Sequence, residues 1–239
     1  MCGRYATTRS AVDLSALFEA YDDTGGRLTA DYNVAPTDPV PIVRVSARLG
    51  GSALSVARWG LLPSWARDAR GAARMINARA ETVATTAGYA RSFARRRCLV
   101  PADGWYEWVR RDGAAKQPYF MTRADGGVLA FAGLWSVWSG AGEPVLTCSV
   151  VTTEAVGDLA LVHDRMPLVL PPRHWAGWLG DSAAELLAPP EPADLTGIEL
   201  RPVGPAVGDV RNDGPGLVAR VAAAPLGAPP EEPAELTLF

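Results

Sequence analysis

The second residue of the chain is a cysteine, and its place next to the initiator methionine gives it chemistry that an internal cysteine lacks. Methionine aminopeptidases generally remove Met1 when a small residue follows, which would leave Cys2 with both an α-amine and a thiol. Ordinary pKa values of about 8 for the amine and about 8.5 for the thiol leave a fraction of each group nucleophilic at neutral pH. Cys2 is therefore a candidate nucleophile, although the first five residues alone leave open that a cysteine at this position is accidental.

A 1,2-aminothiol reacts with an aldehyde in two steps. The amine forms an imine, and the neighbouring thiol closes onto it to give a five-membered thiazolidine, a step that proximity favours strongly. An abasic deoxyribose in DNA offers such an aldehyde when its ring opens. Imine-forming DNA lyases commonly use a lysine amine, but Lys116 is the single lysine here. Because glutamine amidotransferases of the N-terminal-nucleophile class also begin Met-Cys-Gly, the first residues alone leave an amidohydrolase open.

The composition predicts a globular chain that works without a metal. Its 239 residues are 48% hydrophobic, enough for one domain or a domain with a tail. No apolar stretch approaches the ~20 residues that span a bilayer, and no secretory leader opens the chain, so we expect a cytoplasmic protein. The three cysteines are scattered, which argues against both disulfides and a zinc site. We expect Cys98 and Cys148 to be buried.

The net charge of −3 argues weakly against a nucleic-acid partner. Apolar periodicity and turn signals, such as Arg111-Asp112-Gly113 and Asp125-Gly126-Gly127, nevertheless place helices and strands in an irregular order, which predicts an α+β fold. We predict a curved, mostly antiparallel or mixed sheet resembling an open barrel, with flanking helices. The predicted helices cover residues 10–21, 80–97, 154–161 and the segment after Pro172, and the predicted strands lie within 39–62 and 98–153. Residues 2–221 would form the domain, and the Ala/Pro/Glu-rich residues 222–239 a disordered tail.

Five segments place polar groups in apolar surroundings, and together they resemble the SRAP family. These are the SOS-response-associated peptidase-like proteins that crosslink to abasic DNA. The ordered resemblance runs from residue 2 to about residue 212, and segments 59–65 and 116–119 fit it too. The five segments are Met-Cys-Gly-Arg-Tyr (1–5), Tyr-Asn-Val-Ala-Pro-Thr (32–37), Asn-Ala-Arg-Ala-Glu-Thr (77–82), Pro-Ala-Asp-Gly-Trp-Tyr-Glu-Trp (101–108) and His-Asp-Arg-Met-Pro (163–167).

The resemblance implies an active site of Cys2, Asn77, Glu107 and His163. Tryptophans flank Glu107 in sequence and could desolvate its carboxyl, raising its pKa into the range useful for proton transfer. His163 would protonate the sugar ring oxygen as the aldehyde is released, and Asn77 would orient the opened sugar or the Cys2 amine. The residues themselves leave simpler roles open: a surface carboxylate, a core histidine paired with Asp164, and a capping asparagine.

The resemblance also implies contacts to single-stranded DNA that contains abasic sites. Guanidinium groups of Arg4 and Arg79 would hold phosphates, and Trp65 would stack on an exposed base, an interaction worth roughly 1–3 kcal/mol. Thr152 and Arg165 are further candidate contacts. We expect a monomer without cofactor, associated with the nucleoid when bound to damaged DNA. Its implied activities are crosslinking that shields the lesion and a peptidase or lyase activity linked to self-processing. A non-covalent DNA reader remains open.

Overall fold

The structure, a computed structural model, describes residues 2–110, 115–140, 142–223 and 226. These residues form thirteen strands, numbered here in chain order. The strands are β1 (Tyr5–Thr7), β2 (Tyr21–Asp22), β3 (Asp31–Val34), β4 (Pro39–Ser46), β5 (Gly51–Trp59), β6 (Asn77–Arg79), β7 (Arg97–Ala102), β8 (Gly104–Val109), β9 (Gln117–Arg123), β10 (Leu129–Trp138), β11 (Val145–Glu154), β12 (Arg165–Pro167) and β13 (Ile198–Pro202).

Helices occupy a smaller part of the described chain. The α-helices are α1 (Ala11–Leu17), α2 (Ala90–Arg95) and α3 (Pro172–Leu179). Short 3-10 helices cover Ala72–Arg74, Gly157–Leu161, Ala183–Leu186, Pro192–Leu195, Pro205–Gly208 and Pro215–Val218.

Five strands close into a ring, in the order β5, β4, β7, β10 and β11, with neighbouring strands antiparallel. The ring closes where β11 pairs in parallel with β5, through Thr147 with Arg58 and Cys148 with Trp59. The other strands of this sheet lie outside the ring: β12 and β6 pair with β11, and β2 pairs with β5. The predicted α+β domain with a barrel-like mixed sheet is confirmed, and the barrel is closed rather than open.

The second sheet is antiparallel, in the order β13, β9, β8, β1 and β3. The short strand β1 lies between β8 and β3, because Tyr5 pairs with Trp105 on one side and with Val34 on the other. Side chains alternate along a strand, so Trp105 and Glu107 of β8 face the same side and Tyr106 faces the other. The chain start therefore runs beside the strand that carries Glu107.

The core contains a cluster of four aromatic side chains. Tyr5 lies edge-on to Trp59 and to Phe131, with ring centroids 5.0 and 6.1 Å apart, and Trp105 meets Phe131 edge-on at 5.9 Å. These edge-to-face contacts are a favoured geometry for aromatic pairs. Cys98 and Cys148 are fully buried in the same cluster, as predicted.

Two helix predictions need correction. Only Ala90–Arg95 of residues 80–97 is α-helical, and residues 81–89 form turns. Threonines account for the difference, because a hydroxyl that bonds nearby main chain competes with the helix, as Thr85 Oγ1 does on the Thr82 carbonyl at 3.2 Å. Residues 157–161 of the predicted helix 154–161 form a 3-10 helix instead.

The remaining local predictions concern ends and turns. Ser10 caps α1 by accepting a hydrogen bond from the backbone of Asp13, and α3 begins at Pro172 as expected. The turn predicted at residues 125–127 is present, with Gly126 at φ +72°. The turn predicted at 111–113 lies outside the described residues, as does most of 222–239, so the tail stays a prediction.

We predict that Gly60→Ala destabilises the fold strongly. Gly60 has φ +129°, and an added Cβ would lie 2.6 Å from the carbonyl oxygen of Ala72. We expect a loss of about 2–4 kcal/mol in the free energy of unfolding, which urea denaturation measures. Gly50→Ala is the matched control, because Gly50 has φ +70° with open space around it. Equal losses for the two variants would contradict the steric explanation.

Candidate functional site

Asn77 holds the main chain of Cys2. Its side-chain Nδ2 donates a hydrogen bond of 2.6 Å to the Cys2 carbonyl oxygen. Asn77 begins β6, whose parallel pairing with β11 through Val150 fixes the backbone at that point. The Oδ1 atom of Asn77 is buried and has no hydrogen-bond partner among the described residues. The amide thus positions Cys2 with one end and has an unused acceptor at the other.

The Cys2 side chain is fully buried. Burial raises the pKa of its thiol well above the ordinary value, and the negative charge of nearby Glu107 raises it further. The sulfur in this setting is a neutral thiol. This differs from the ordinary thiol pKa expected from the sequence.

Glu107 is the most perturbed carboxyl of the site. Its residue is only 4% exposed, and burial, together with the negative charge of Asp164, raises the pKa of its carboxyl to about 7. The desolvation expected from the sequence is confirmed. A carboxyl with a pKa near neutrality can both donate and accept a proton at physiological pH.

His163 lies at the edge of the same cluster, with a side chain 30% exposed. Its Nδ1 accepts a 2.9 Å hydrogen bond from the backbone N–H of Arg165, and the same atom is 2.7 Å from Oδ1 of Asp164. A neutral ring cannot accept from one and donate to the other. The Arg165 N–H is fixed at the start of β12, whereas the Asp164 side chain is 85% exposed and free to turn to water. The neutral ring therefore carries its proton on Nε2, and burial lowers its pKa.

The structure brings the four predicted site residues into one cluster from four separate parts of the chain. The Cys2 carbonyl accepts a hydrogen bond from Asn77, and the charge of Glu107 raises the pKa of the Cys2 thiol. The charge of Asp164, the neighbour of His163, raises the pKa of Glu107. The pairing of His163 with Asp164, one of the simpler readings of the sequence, is present as a contact within this cluster.

Arg4 is engaged inside the protein. Its Nη1 donates to Oδ1 of Asn33 at 2.7 Å and to the Val207 carbonyl at 2.8 Å, and its guanidinium lies 5.9 Å from the ring centroid of Trp108. These bonds tie the start of β1 to the C-terminal part of the domain. A contact of Arg4 with DNA phosphate stays a prediction.

Arg165 and Thr152 are also held by internal contacts. Arg165 forms a two-pronged ion pair with Glu81, at 2.6 and 3.0 Å, and donates to the Thr152 carbonyl at 2.7 Å. The Arg165 side chain is 13% exposed, and Thr152 is buried. Both residues brace the segment after β6 against β11. Their contact with DNA stays a prediction as well.

Trp65 and Arg79 are the two candidate DNA residues that the structure leaves open to solvent. Trp65 is 68% exposed. Arg79 ends β6, two residues after Asn77, and is also exposed. An exposed indole and a guanidinium beside the cluster are available for a ligand.

Sequence reasoning missed Tyr89. Its buried hydroxyl donates a 2.9 Å hydrogen bond to the Asn77 carbonyl, and Ser149 lies beside it. Burial raises the pKa of Tyr89, so the hydroxyl stays a donor at neutral pH. A tyrosine within a segment predicted as helical carries no signal for this contact, because the contact depends on turns at 81–89.

Within the part of the chain that the structure describes, no three His, Cys, Asp or Glu side chains come together as a metal site. The helices of the described ranges are all too short or too polar to cross a membrane.

The fold and the cluster define a class of protein: a closed barrel beside a second sheet, with a buried cysteine at position two that is held by an asparagine amide and lies near a carboxyl whose pKa is about 7. The chain belongs to the family described as SOS response associated peptidase (SRAP), whose model matches residues 1–210.

Similar proteins carry a more specific name. The abasic site processing protein YoaM of Bacillus subtilis is 34% identical over 84% of this chain and 91% of its own length. The abasic site processing protein YedK of Escherichia coli is 34% identical over 92% of this chain and all of its own. A crystal structure of a protein from Bacteroides thetaiotaomicron has a TM-score of 0.79 at 25% identity, covering 92% of this chain and all of that one.

We predict that Glu107→Gln stabilises the protein at neutral and higher pH. The folded pKa of about 7 lies above the ordinary glutamate pKa of 4.5, so the folded state binds the proton more tightly and stability falls as pH rises between these values. This difference in pKa corresponds to a loss of at most about 3 kcal/mol in the free energy of unfolding above pH 7, and the loss vanishes near pH 4. Urea denaturation at several pH values measures it. The exposed Glu143→Gln is the control, and a variant no more stable than the parent at pH 8 would contradict the assignment.

Proposed function

We propose that this protein processes abasic sites in single-stranded DNA by forming a covalent crosslink through Cys2. The observation that carries the proposal is the cluster in which Asn77 holds Cys2 beside a Glu107 carboxyl whose pKa is about 7. Relatives over most of the chain are named abasic site processing proteins, which supports this substrate. The crosslink would shield the lesion from strand cleavage in the DNA damage response.

The proposed reaction begins when Met1 is removed and the α-amine of Cys2 is freed. The amine attacks the aldehyde carbon of the opened sugar, and the resulting carbinolamine loses water to give an imine. The thiol sulfur loses its proton and adds to the carbon of this imine, which is still protonated at nitrogen, closing a thiazolidine. One aldehyde and one aminothiol yield one thiazolidine and one water, so the chemistry needs no redox partner, metal or cofactor.

The other site residues have matching proton-transfer roles. Protonated Glu107 donates to the departing hydroxyl of the carbinolamine, and its carboxylate then accepts the thiol proton. The Nε2–H of neutral His163 donates to the sugar ring oxygen as the aldehyde is released. The buried Oδ1 of Asn77 accepts a hydrogen bond from the Cys2 amine or from a sugar hydroxyl.

In this proposal the protein acts as a monomer in the cytoplasm, and it acts at the nucleoid when DNA is damaged. Its peptidase activity, taken from the family's description, would cleave the bond between Met1 and Cys2. Any lyase activity would arise from the imine stage. Arg4, Arg79, Trp65, Thr152 and Arg165 are the proposed DNA contacts, of which Arg79 and Trp65 are exposed.

The central prediction concerns Cys2. Mixed with a single strand treated with uracil glycosylase, the parent protein should give an adduct that survives denaturing electrophoresis. Cys2→Ala should give no durable adduct, and Cys2→Ser at most a transient imine, because a hydroxyl closes a far less stable ring. Denaturation separates this outcome from non-covalent binding, and incubation with glutamine tests the amidohydrolase alternative. A durable adduct with Cys2→Ala, or active protein whose mass retains Met1, would sink the proposal.

We also predict that Tyr89→Phe slows crosslinking. The Tyr89 hydroxyl fixes the backbone carbonyl of Asn77, so its loss should loosen the Asn77 side-chain amide. We expect the single-turnover rate to fall about three- to tenfold at saturating DNA, with DNA affinity unchanged. Tyr106→Phe is the matched control, because it removes a buried hydroxyl that donates to the Tyr32 carbonyl at 2.8 Å. Both variants should lose about 1 kcal/mol of stability. Equal crosslinking rates in the two variants would show that Tyr89 has only a structural role.

A further inference from the structure

Residues 63–75, called here the arginine segment, connect β5 to β6. Three contacts fix the path of this segment. The indole Nε1 of Trp138 donates to the Ala66 carbonyl at 2.8 Å, the backbone N–H of Leu61 donates to the Met75 carbonyl at 3.0 Å, and Gly60 packs directly against Ala72. The segment is therefore held near its start, at Ala66, and near its end, at Ala72 and Met75.

The charge of the arginine segment is opposite to that of the whole chain. It contains Arg67, Arg70 and Arg74 with Asp68 as its single acid, a net charge of +2 in a chain of net charge −3. All three arginines are exposed. Arg70 Nε lies 3.1 Å from Asp68 in a contact whose arginine side chain is 89% exposed, and exposed ion pairs of this kind contribute little to stability. The fold alone gives these cations no evident structural task.

The arginines surround a cleft that also contains an exposed aromatic ring. The cleft has a volume of about 510 Å³, and its lining includes Trp65, Arg67, Arg70, Arg74, Leu62 and Met75. A solvent-facing indole beside several guanidinium groups is the combination with which single-strand binders stack a base and hold the backbone. A base paired in a duplex has no free face for such stacking.

The position of the cleft links it to the reactive cluster. Arg74 precedes Asn77 by three residues, and Asn77 bonds the main chain of Cys2. A strand seated on the arginine segment would therefore continue toward Arg79 and the site along β6.

We infer that the arginine segment is a binding subsite for the single strand that flanks the abasic site, with Arg67, Arg70 and Arg74 holding phosphates beside the base platform of Trp65. This inference rests on the proposed function and extends it, because it assigns a binding place to the undamaged nucleotides. The subsite reads no sequence, because phosphates and stacked faces are common to all nucleotides.

The test compares two triple variants with the same change in net charge. The first variant replaces Arg67, Arg70 and Arg74 with Gln. The second variant is the control and replaces the exposed Arg48, Arg91 and Arg95 with Gln. Binding is measured with a single strand carrying a tetrahydrofuran abasic analogue, which has no aldehyde and cannot crosslink. One oligonucleotide has eight nucleotides on each side of the lesion, and the other has two.

We expect the first variant to bind the long oligonucleotide at least tenfold more weakly than the parent, with the short one nearly unaffected. The slope of log affinity against log salt should fall by about 2, from three lost phosphate contacts at about 0.7 each. The control variant should match the parent. Equal affinities and salt slopes in the two variants would overturn the subsite.

The two proposals fail in different ways. A parent protein that binds the analogue but forms no adduct with a true abasic strand would refute the covalent chemistry and leave the subsite standing. A parent that binds neither oligonucleotide would overturn both proposals. Oligonucleotides extended on one side only then assign the subsite to the 5′ or the 3′ flank.

Discussion

The parallel edge of β11 is the constraint on which the rest of the structure depends. Its first part pairs with the end of β5 and closes the barrel, and its later part, from Val150 to Thr152, pairs with β6. Between these two pairings the Gly60 N–H donates to the Cys148 carbonyl, and the Val150 N–H donates to the Ile76 carbonyl, both at 2.8 Å. One strand therefore fixes the barrel, the start of β6 and, through Asn77, the position of Cys2.

The same arrangement explains how the site sustains groups that the core disfavours. Burying a carboxyl and an amide oxygen costs free energy, and the long strands around them provide the rigidity that holds both in place. The thiol of Cys2 is kept neutral and Glu107 is kept near its point of half-protonation by the same burial. A single physical cause thus keeps the sulfur protonated and makes the carboxyl useful for moving that proton.

The sequence was informative where chemistry and local pattern coincide. A glutamate between tryptophans predicted the desolvated carboxyl, and apolar runs around Cys98 and Cys148 predicted the buried thiols. The fold class followed from the irregular order of strands and helices. The closure of the barrel did not, because a parallel pair between β5 and β11 joins residues almost ninety positions apart and leaves no local signal. The internal partners of Arg4 and Arg165, and the hydroxyl of Tyr89 on Asn77, depend on the same long-range pairings.

The connection formed by residues 60–76 begins and ends on the edge of β11, so the barrel fixes its two ends and little of its length. Lengthening such a connection is entropically inexpensive, about 0.6 kcal/mol for each doubling of a flexible loop. Insertions between Ala66 and Ala72 should therefore cost the scaffold little stability while the cluster around Cys2 stays unchanged. The fold thereby separates the cluster around Cys2 from a connection whose length can change at low cost.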